Sequence, residues 1–429
     1  MNPLFSVYTP TNNSTWLIKV YNSLLEQAYT NWEWVLVVNG PKTDFIYDEW
    51  KSKASTDPRI KVFKSNISGG VGVLKYQACN HAIGDILVEL DHDDVLVDTC
   101  LQTIADLYNS DQKGFYYSDW VGFTDRGQFE TYAPEHGWES YNWKYKDKNL
   151  VALKSFPVSA RALCEIFYAP NHVRAWTREA YNNAGGYDPS LRVADDHDLV
   201  IRTYLSGTEF YRIDSPQYLY RIHATNTVKI YNAEIQKQQA LNKDKYLVDL
   251  AIEETRRKEL QAINIGIKSE RYKSVNISEL PMGILELSDW KIPLASNSVN
   301  VIRCTDSLQL VPQKKVKQFV EELYRVLAHG GWLFTSTPST DGRGAFQDIR
   351  HVSWWNENTW TYWSEAALSR IYYGDSIDHP KFQIVRSNTQ FPSQYHKDKN
   401  ISYANVDMCV YKNQILPGYL GFNRSYIGT

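Results

Sequence analysis

The sequence has no paired cysteines. Cys79, Cys100, Cys164, Cys304 and Cys409 are scattered through 429 residues and form no Cys-x-x-Cys. That excludes a disulfide scaffold or a thiolate zinc site and predicts free buried thiols in a reducing compartment. No stretch approaches the ~20 apolar residues that a spanning helix needs. The first residues, MNPLFSVYTPTNNSTW, lack the charged start and long apolar run of a secretory leader. A soluble cytoplasmic protein is expected. An excess of basic charge is also missing: 46 Lys and Arg stand against 49 Asp and Glu, for a net charge of -3. That argues against a protein that grips nucleic acid by bulk charge. No internal repeat is visible. What is present is a hydrophobic fraction of 43%, enough for more than one core, and a length that suggests two or three domains. Trp and Tyr are frequent, at 14 and 30. Such rings stack on sugars and bases, although most of them fill cores and surfaces.

The first 100 residues alternate strand and helix. Strands are expected at 5–8, 34–38, 59–63 and 85–90, and helices at 16–29 and 71–83, the latter with Gly84 as a C-cap. Trp34-Val-Leu-Val-Val38 is wholly apolar, as in a parallel sheet covered on both faces. A strand at 114–118 and a helix at 193–205 follow. The pattern predicts a doubly wound α/β fold, in which ligands bind beyond the carboxyl ends of the strands. From 228 to 261 Lys, Glu, Gln and Ala dominate, which predicts a helical linker. Residues 262–415 form a second α/β unit, with strands at 262–265, 299–302 and 332–335 and a helix at 314–327. The tail, 416–429, is peripheral.

Asp91-His92-Asp93-Asp94 follows the strand at 85–90. Three carboxylates in four residues make either a solvated acidic turn or a divalent-cation site. Hard cations take oxygen ligands, and Mg²⁺ or Mn²⁺ uses one or two carboxylates together with phosphate oxygens. Placement at a carboxyl strand end favours the cation site.

Residues 3–227 resemble family 2 glycosyltransferases of the GT-A fold. Phe5-Ser-Val-Tyr-Thr-Pro10 is similar to that family's first strand and donor loop, which implies donor contact by Thr9 and Pro10. Gly69-Gly-Val-Gly with Lys75, running on to Asp94, is similar to the stretch that ends in the family's DXD motif. The resemblance implies Asp91 as a donor contact sharing the metal site, Asp93 as the main metal ligand, and Lys75 beside the donor. Ala184-Gly-Gly-Tyr-Asp and Ala194-Asp-Asp-His-Asp are similar to the Gly-Gly-aromatic turn and the Glu-Asp motif. Asp196 then matches the general base, and Asp195 replaces the usual Glu on the acceptor side. Capping of a helix is the alternative for Asp195, Asp196 and Asp198, with catalysis favoured for Asp196. Tyr218-Leu-Tyr-Arg-Ile-His223 is similar to the late Tyr-Arg-x-His segment, whose histidine joins the metal or the diphosphate. Trp176 is a candidate sugar-stacking wall on the acceptor side, with core packing as its alternative. The second strand ends in Asn39 where many relatives carry a base-reading Asp. An amide both donates and accepts, so Asn39 leaves the nucleotide base unnamed.

Residues 262–338 resemble class I S-adenosylmethionine-dependent methyltransferases, through Asp289-Trp-Lys-Ile-Pro-Leu, Asn297-Ser-Val-Asn-Val-Ile and Glu322 to Gly331. The cofactor-binding part departs. Gly266 is followed by Ile-Lys-Ser without a second glycine. Asn276 stands where an acidic residue holds the ribose, and Gln309-Leu310 where relatives carry Glu-His. A degenerate methyltransferase fold that does not bind S-adenosylmethionine is expected. The full expectation is an inverting, metal-dependent transferase acting on a nucleotide-diphosphate sugar donor and a hydroxyl acceptor (a glycan or a lipid-linked sugar, for example). The alternatives are a bifunctional glycosyltransferase and methyltransferase, or a non-catalytic carbohydrate-binding or assembly protein.

Overall fold

The computed structural model describes residues 2–40, 43–67, 70–127, 139–266, 280–284, 287–364, 366–374, 376 and 379–412. Gly69, the stretch after Gly266, Asn276 and the tail at 416–429 lie outside the described residues. The chain divides into two compact units, 1–250 and 251–429.

The first unit begins with β1 (Phe5–Thr11), α1 (Leu17–Leu25), β2 (Trp32–Asn39), α2 (Asp44–Ala54), β3 (Ile60–Ser65), α3 (Val71–His81) and β4 (Ile86–Glu89). These strands pair in parallel in the order β3-β2-β1-β4. Every residue of β1 is buried, and β2 is buried from Trp32 to Val38. Strands buried on both faces carry continuous apolar runs. Leu17, Val20 and Leu24 put one buried stripe of α1 against them. Thr9 and Pro10 are therefore interior residues of β1 and lie on no loop.

Next come β5 (Val95–Leu96), α4 (Cys100–Asn109), β6 (Phe115–Phe123), β7 (Ser140–Tyr145), β8 (Lys148–Leu153), α5 (Ala160–Glu165), β9 (Arg174–Thr177), α6 (Arg178–Asn183), α7 (Asp195–Leu205) and β10 (Phe210–Arg221). The sheet continues β4-β9-β6-β10-β5. β9 runs antiparallel to both neighbours, so the sheet is mixed and not wholly parallel. The short α8 (Thr227–Ile230) leads into α9 (Asn232–Arg257), within which the two units divide.

Glycines set two close approaches. Gly84 is not the cap of α3, which ends at His81 with Ala82 extended. A Cβ on Gly84 would lie 2.6 Å from the Leu4 carbonyl, and its N–H donates to Ser6 Oγ at 2.7 Å. A Cβ on Gly72 would meet the Leu191 carbonyl at 2.7 Å and Asp195 Cβ at 3.0 Å. The start of α3 thus sits directly on the turn that begins α7.

In the second unit β11 (Gln261–Gly266), β12 (Leu280–Gly283), β13 (Val299–Thr305), α10 (Val316–Val326), β14 (Leu327–Pro338), β15 (Phe382–Gln390) and β16 (Tyr403–Val410) build a sheet ordered β12-β11-β13-β14-β16-β15. The first four strands are parallel and the last two antiparallel. Phe319, Val320, Leu323 and Val326 bury one face of α10. Glu322 and Arg325 hold the preceding loop: Glu322 accepts from the Ile292 N–H, and Arg325 donates to the Ile292 and Leu294 carbonyls. Among the described residues no helix is long and apolar enough to cross a membrane.

Gly72→Ala should cost about 1–3 kcal/mol, as overpacking does elsewhere. Urea unfolding measures this, and an unchanged midpoint would show slack between α3 and α7.

Candidate active site

The site grows from the carboxyl end of β4. Glu89 ends that strand fully buried. A buried carboxylate needs a cation beside it. The Lys75 ammonium, from α3, donates to Glu89 Oε1 and lies 3.5 Å from Asp195 Oδ2. Arg174, from β9, is anchored by its Nε on the Pro170 carbonyl at 3.0 Å. Its Nη1 pairs with Asp196 Oδ2 and lies 3.7 Å from Glu89 Oε2. α3, β4, β9 and α7 are thereby tied by one buried charge network. Removing one partner from such a network typically costs about 3–5 kcal/mol.

The three acids opening α7 have different surroundings. Asp198 is buried between Arg202 and the Tyr246 hydroxyl. Asp195 is buried against Lys75, with its side chain 6% exposed, whereas that of Asp196 is 26% exposed. Burial acts to raise Asp196, yet Arg174, helped by Lys75 and His172, holds its carboxyl well below the ordinary range. Burial takes Asp195 up to about 6, with Asp196 and Glu89 adding to the rise against Lys75. His197 fixes the helix, its Nε2 on the Leu163 carbonyl at 2.7 Å and its Nδ1 3.2 Å from Asn242 Nδ2.

The turn after β4 carries the acidic cluster, and β10 braces it. The Tyr218 hydroxyl donates to Asp94 Oδ2 at 2.8 Å and accepts the Asp91 N–H at 3.1 Å. The Arg221 N–H donates to Asp94 Oδ1, and its Nε to the Asp93 carbonyl, both at 2.7 Å. Asp94 is fully buried and structural. Asp91 is half-buried. Burial raises its carboxyl to about 7, and Glu89, Asp93 and Asp196 add to that against Lys75. A divalent cation at this point would favour the ionised form of Asp91.

Among the described residues, Glu89, Asp91 and His172 bring their ligand atoms within 4.8 Å of one another. Asp93 and His223 are outside that group and meet each other, Nε2 to Oδ2, at 2.7 Å. Of the expected trio, Asp93 and His223 therefore meet directly, and Asp91, two residues from Asp93 on the same turn, also stands beside Glu89 and His172. His172 is kept neutral: burial first and Arg174 second push its pKa down to about 3.

Other expected site residues are corrected by their packing. Trp176 is fully buried in β9, its indole N–H on Thr203 Oγ1 at 3.0 Å and its ring against Phe115, so it offers no face to a sugar. The Thr9 hydroxyl is occupied, donating to the Leu90 carbonyl and accepting from the Trp34 indole, and Pro10 is buried beside it. Lys75 is buried among carboxylates and acts there through its charge. Asn39 remains half-buried at the open end of β2. Glu89, His172 and Arg174 carry no assignment from the sequence. The available signal was a lone charge inside an apolar strand, Glu89 in Ile-Leu-Val-Glu-Leu.

Asp91 and Asp195 bind protons more tightly folded than unfolded. Asp94, raised first by burial, acts in the same direction. Their contribution to stability therefore grows as pH falls from about 7 towards 4 and is lost as pH rises through that window. Thermal unfolding between pH 4 and 8 should be less pH-dependent in Asp91→Asn than in the parent; superimposable profiles would remove Asp91 from this account.

Residues 6–165 match the family described as Glycosyl transferase family 2, and residues 250–335 match a Methyltransferase domain family. The putative colanic acid biosynthesis glycosyl transferase WcaA of Escherichia coli K12 is 26% identical over 238 residues, which cover 55% of this chain and 75% of that protein. Chondroitin synthase of Escherichia coli is 24% identical over 238 residues, covering 55% of this chain and 31% of that protein. Among solved structures, S. aureus TarS 1-349 is 18% identical with a TM-score of 0.41, covering 59% of this chain and 72% of that one. Its complex with UDP-GlcNAc has the same identity and coverage at a TM-score of 0.43. The chain is a glycosyltransferase, with the family 2 match lying in its N-terminal unit and the methyltransferase-domain match following it.

Proposed function

We propose that the N-terminal unit performs an inverting transfer from a nucleotide-diphosphate sugar to an acceptor hydroxyl, with Asp196 as general base. The observation that carries this reading is the contrast within α7. The Asp195 and Asp198 side chains are 6% and 4% exposed, whereas that of Asp196, although paired with Arg174, keeps 26% exposure at the start of the helix. In the reaction the acceptor oxygen bonds to the anomeric carbon as the bond from that carbon to the diphosphate oxygen breaks. The hydroxyl proton passes to the Asp196 carboxylate, which must lie within hydrogen-bond reach of it. Displacement from the opposite face inverts the anomeric configuration. Arg174 keeps Asp196 ionised and fixes its orientation.

The residues at the acidic turn fit a divalent cation, Mn²⁺ or Mg²⁺. Burial and neighbouring acids disfavour the charged form of Asp91, which a cation would relieve, and carboxylate oxygens are the donors such ions prefer. Asp91 and Asp93 would hold it, and when bound it would offset the charge growing on the departing diphosphate. Asn39 lies where a donor base could be read at the end of β2. We assign residues 1–227 to this transferase, 228–261 to a linker and 262–415 to the methyltransferase-type module, which we propose has an acceptor-positioning or structural role.

Thermal shift against a panel of nucleotide sugars with Mn²⁺ would identify the donor, since a ligand of the folded state raises its apparent stability. Asp196→Asn should then lower kcat about 10²–10⁴-fold and leave donor affinity nearly unchanged. Equal loss of transfer and donor binding would make the residue structural. Asp93→Ala should blunt the response of donor binding to Mn²⁺, and an unaltered response would take Asp93 out of the cation site.

A further inference from the structure

The segment from Tyr218 to His223 holds the acidic turn at three points. Tyr218 and Arg221 make two of them, on Asp91, Asp93 and Asp94. The third is His223, whose Nε2 lies 2.7 Å from Asp93 Oδ2. The far side of the ring decides what that contact is. The Thr225 backbone N–H donates to His223 Nδ1 at 3.2 Å, and the Thr225 hydroxyl lies 2.8 Å from the same nitrogen. A nitrogen that accepts an N–H carries no proton of its own, so the ring proton is on Nε2, where it faces the carboxylate. A metal-ligating histidine shows the opposite arrangement: its far nitrogen donates to a carbonyl, a carboxylate or water.

One contact opposes this. Asn226 Nδ2 approaches Nε2 at 3.3 Å. It is the longer of the two contacts at that nitrogen, and the same amide already donates to the Arg221 carbonyl at 3.0 Å. The ring is held elsewhere as well. The His223 N–H donates to Asn226 Oδ1 at 2.6 Å, and the Trp16 indole covers one face with centroids 4.7 Å apart.

We propose that His223 is a positioning residue, whose Nε2–H holds one oxygen of Asp93, and that it is not itself a ligand of the cation. Trp16 and Thr225 set the plane and the donor side of the ring. The functional consequence rests on the reading of Asp93 as a cation-side carboxylate; the hydrogen-bond roles do not. With Oδ2 engaged, Asp93 presents its other oxygen.

The first test needs no metal. Protein labelled with ¹⁵N-histidine is recorded in long-range ¹H–¹⁵N imidazole spectra, with His223→Gln and His223→Asn each identifying the signal. The Nε2–H tautomer is expected, and the Nδ1–H tautomer would overturn the proposal. The second test adds Mn²⁺ and reads ¹⁴N couplings by pulsed electron paramagnetic resonance. No directly bonded nitrogen that disappears in His223→Gln is expected, and finding one also overturns it. His223→Gln, which retains an N–H donor, should bind Mn²⁺ within about threefold of the parent, whereas His223→Ala should lose about 10-fold or more, as supporting partners of metal ligands do. Losses equal in the two variants would contradict a donor role. If the parent binds no Mn²⁺, the cation reading of the preceding section falls, while the tautomer spectrum still decides the role of His223.

Discussion

Two buried cations, Lys75 and Arg174, stand among the carboxylates of Glu89, Asp195 and Asp196, and the first unit is arranged around their mutual satisfaction. None of these charges could be buried alone. Lys75 comes from a helix before β4, Glu89 ends β4, Arg174 lies on the antiparallel strand beside it, and Asp195 and Asp196 open α7. Pairing draws elements more than a hundred residues apart in sequence to one end of the sheet. The requirement that closes the fold also brings together the groups we propose for the reaction. The same pairing sorts the acids: those needed for closure are enclosed, and Asp196 is left with a face to solvent.

The acidic turn is sorted in the same way. Asp94 spends both oxygens on Tyr218 and Arg221 and is enclosed. Asp91 lends its N–H to Tyr218 and keeps its carboxylate, raised by burial and by its acidic neighbours. A turn with three acids in four residues would repel itself open in the absence of such braces. β10 supplies them from a polar and aromatic strand end. The Gly72 contact acts from the other side, letting the helix that carries Lys75 settle onto the turn that carries Asp195.

Local pattern made much of this legible. Trp34 to Val38 of β2 and Ile86 to Val88 of β4 are apolar runs, and burial on both faces of a sheet demands such runs. α7 and α10 show their helical period, and the acidic turn stands out by composition. The remainder depends on partners distant in sequence. β9 has only four residues, and nothing local marks it as antiparallel or as the carrier of a buried arginine. Trp176 is as good a sugar platform as a core filler until its neighbours on β6 are known. Thr9 reads as a loop hydroxyl until Trp34 and Leu90 claim it. Gly84 looks like a helix cap because glycine serves both there and where two backbones meet. β15 and β16 carried no clear signal: the outer half of β15 is exposed and polar, so it lacks the alternation of a half-buried strand.

The position of Arg174 bears on how Asp196 can work as a base. A carboxylate held below the ordinary range by Arg174 is ionised at neutral pH, ready to accept a proton. It is nonetheless a poor proton acceptor in the ground state. A free hydroxyl would not surrender its proton to it. The hydroxyl becomes acidic only as its oxygen bonds to the anomeric carbon, so in the mechanism we propose, transfer to Asp196 would come late, once that bond is well formed. Such a base contributes through placement more than through strength. Placement is what the buried network provides: Nη1 of Arg174 holds one oxygen of Asp196, the Pro170 carbonyl holds Arg174, and the His197 N–H holds the other oxygen at 2.8 Å. The rigidity that lowers the basicity of this carboxylate is therefore the same rigidity that aims it.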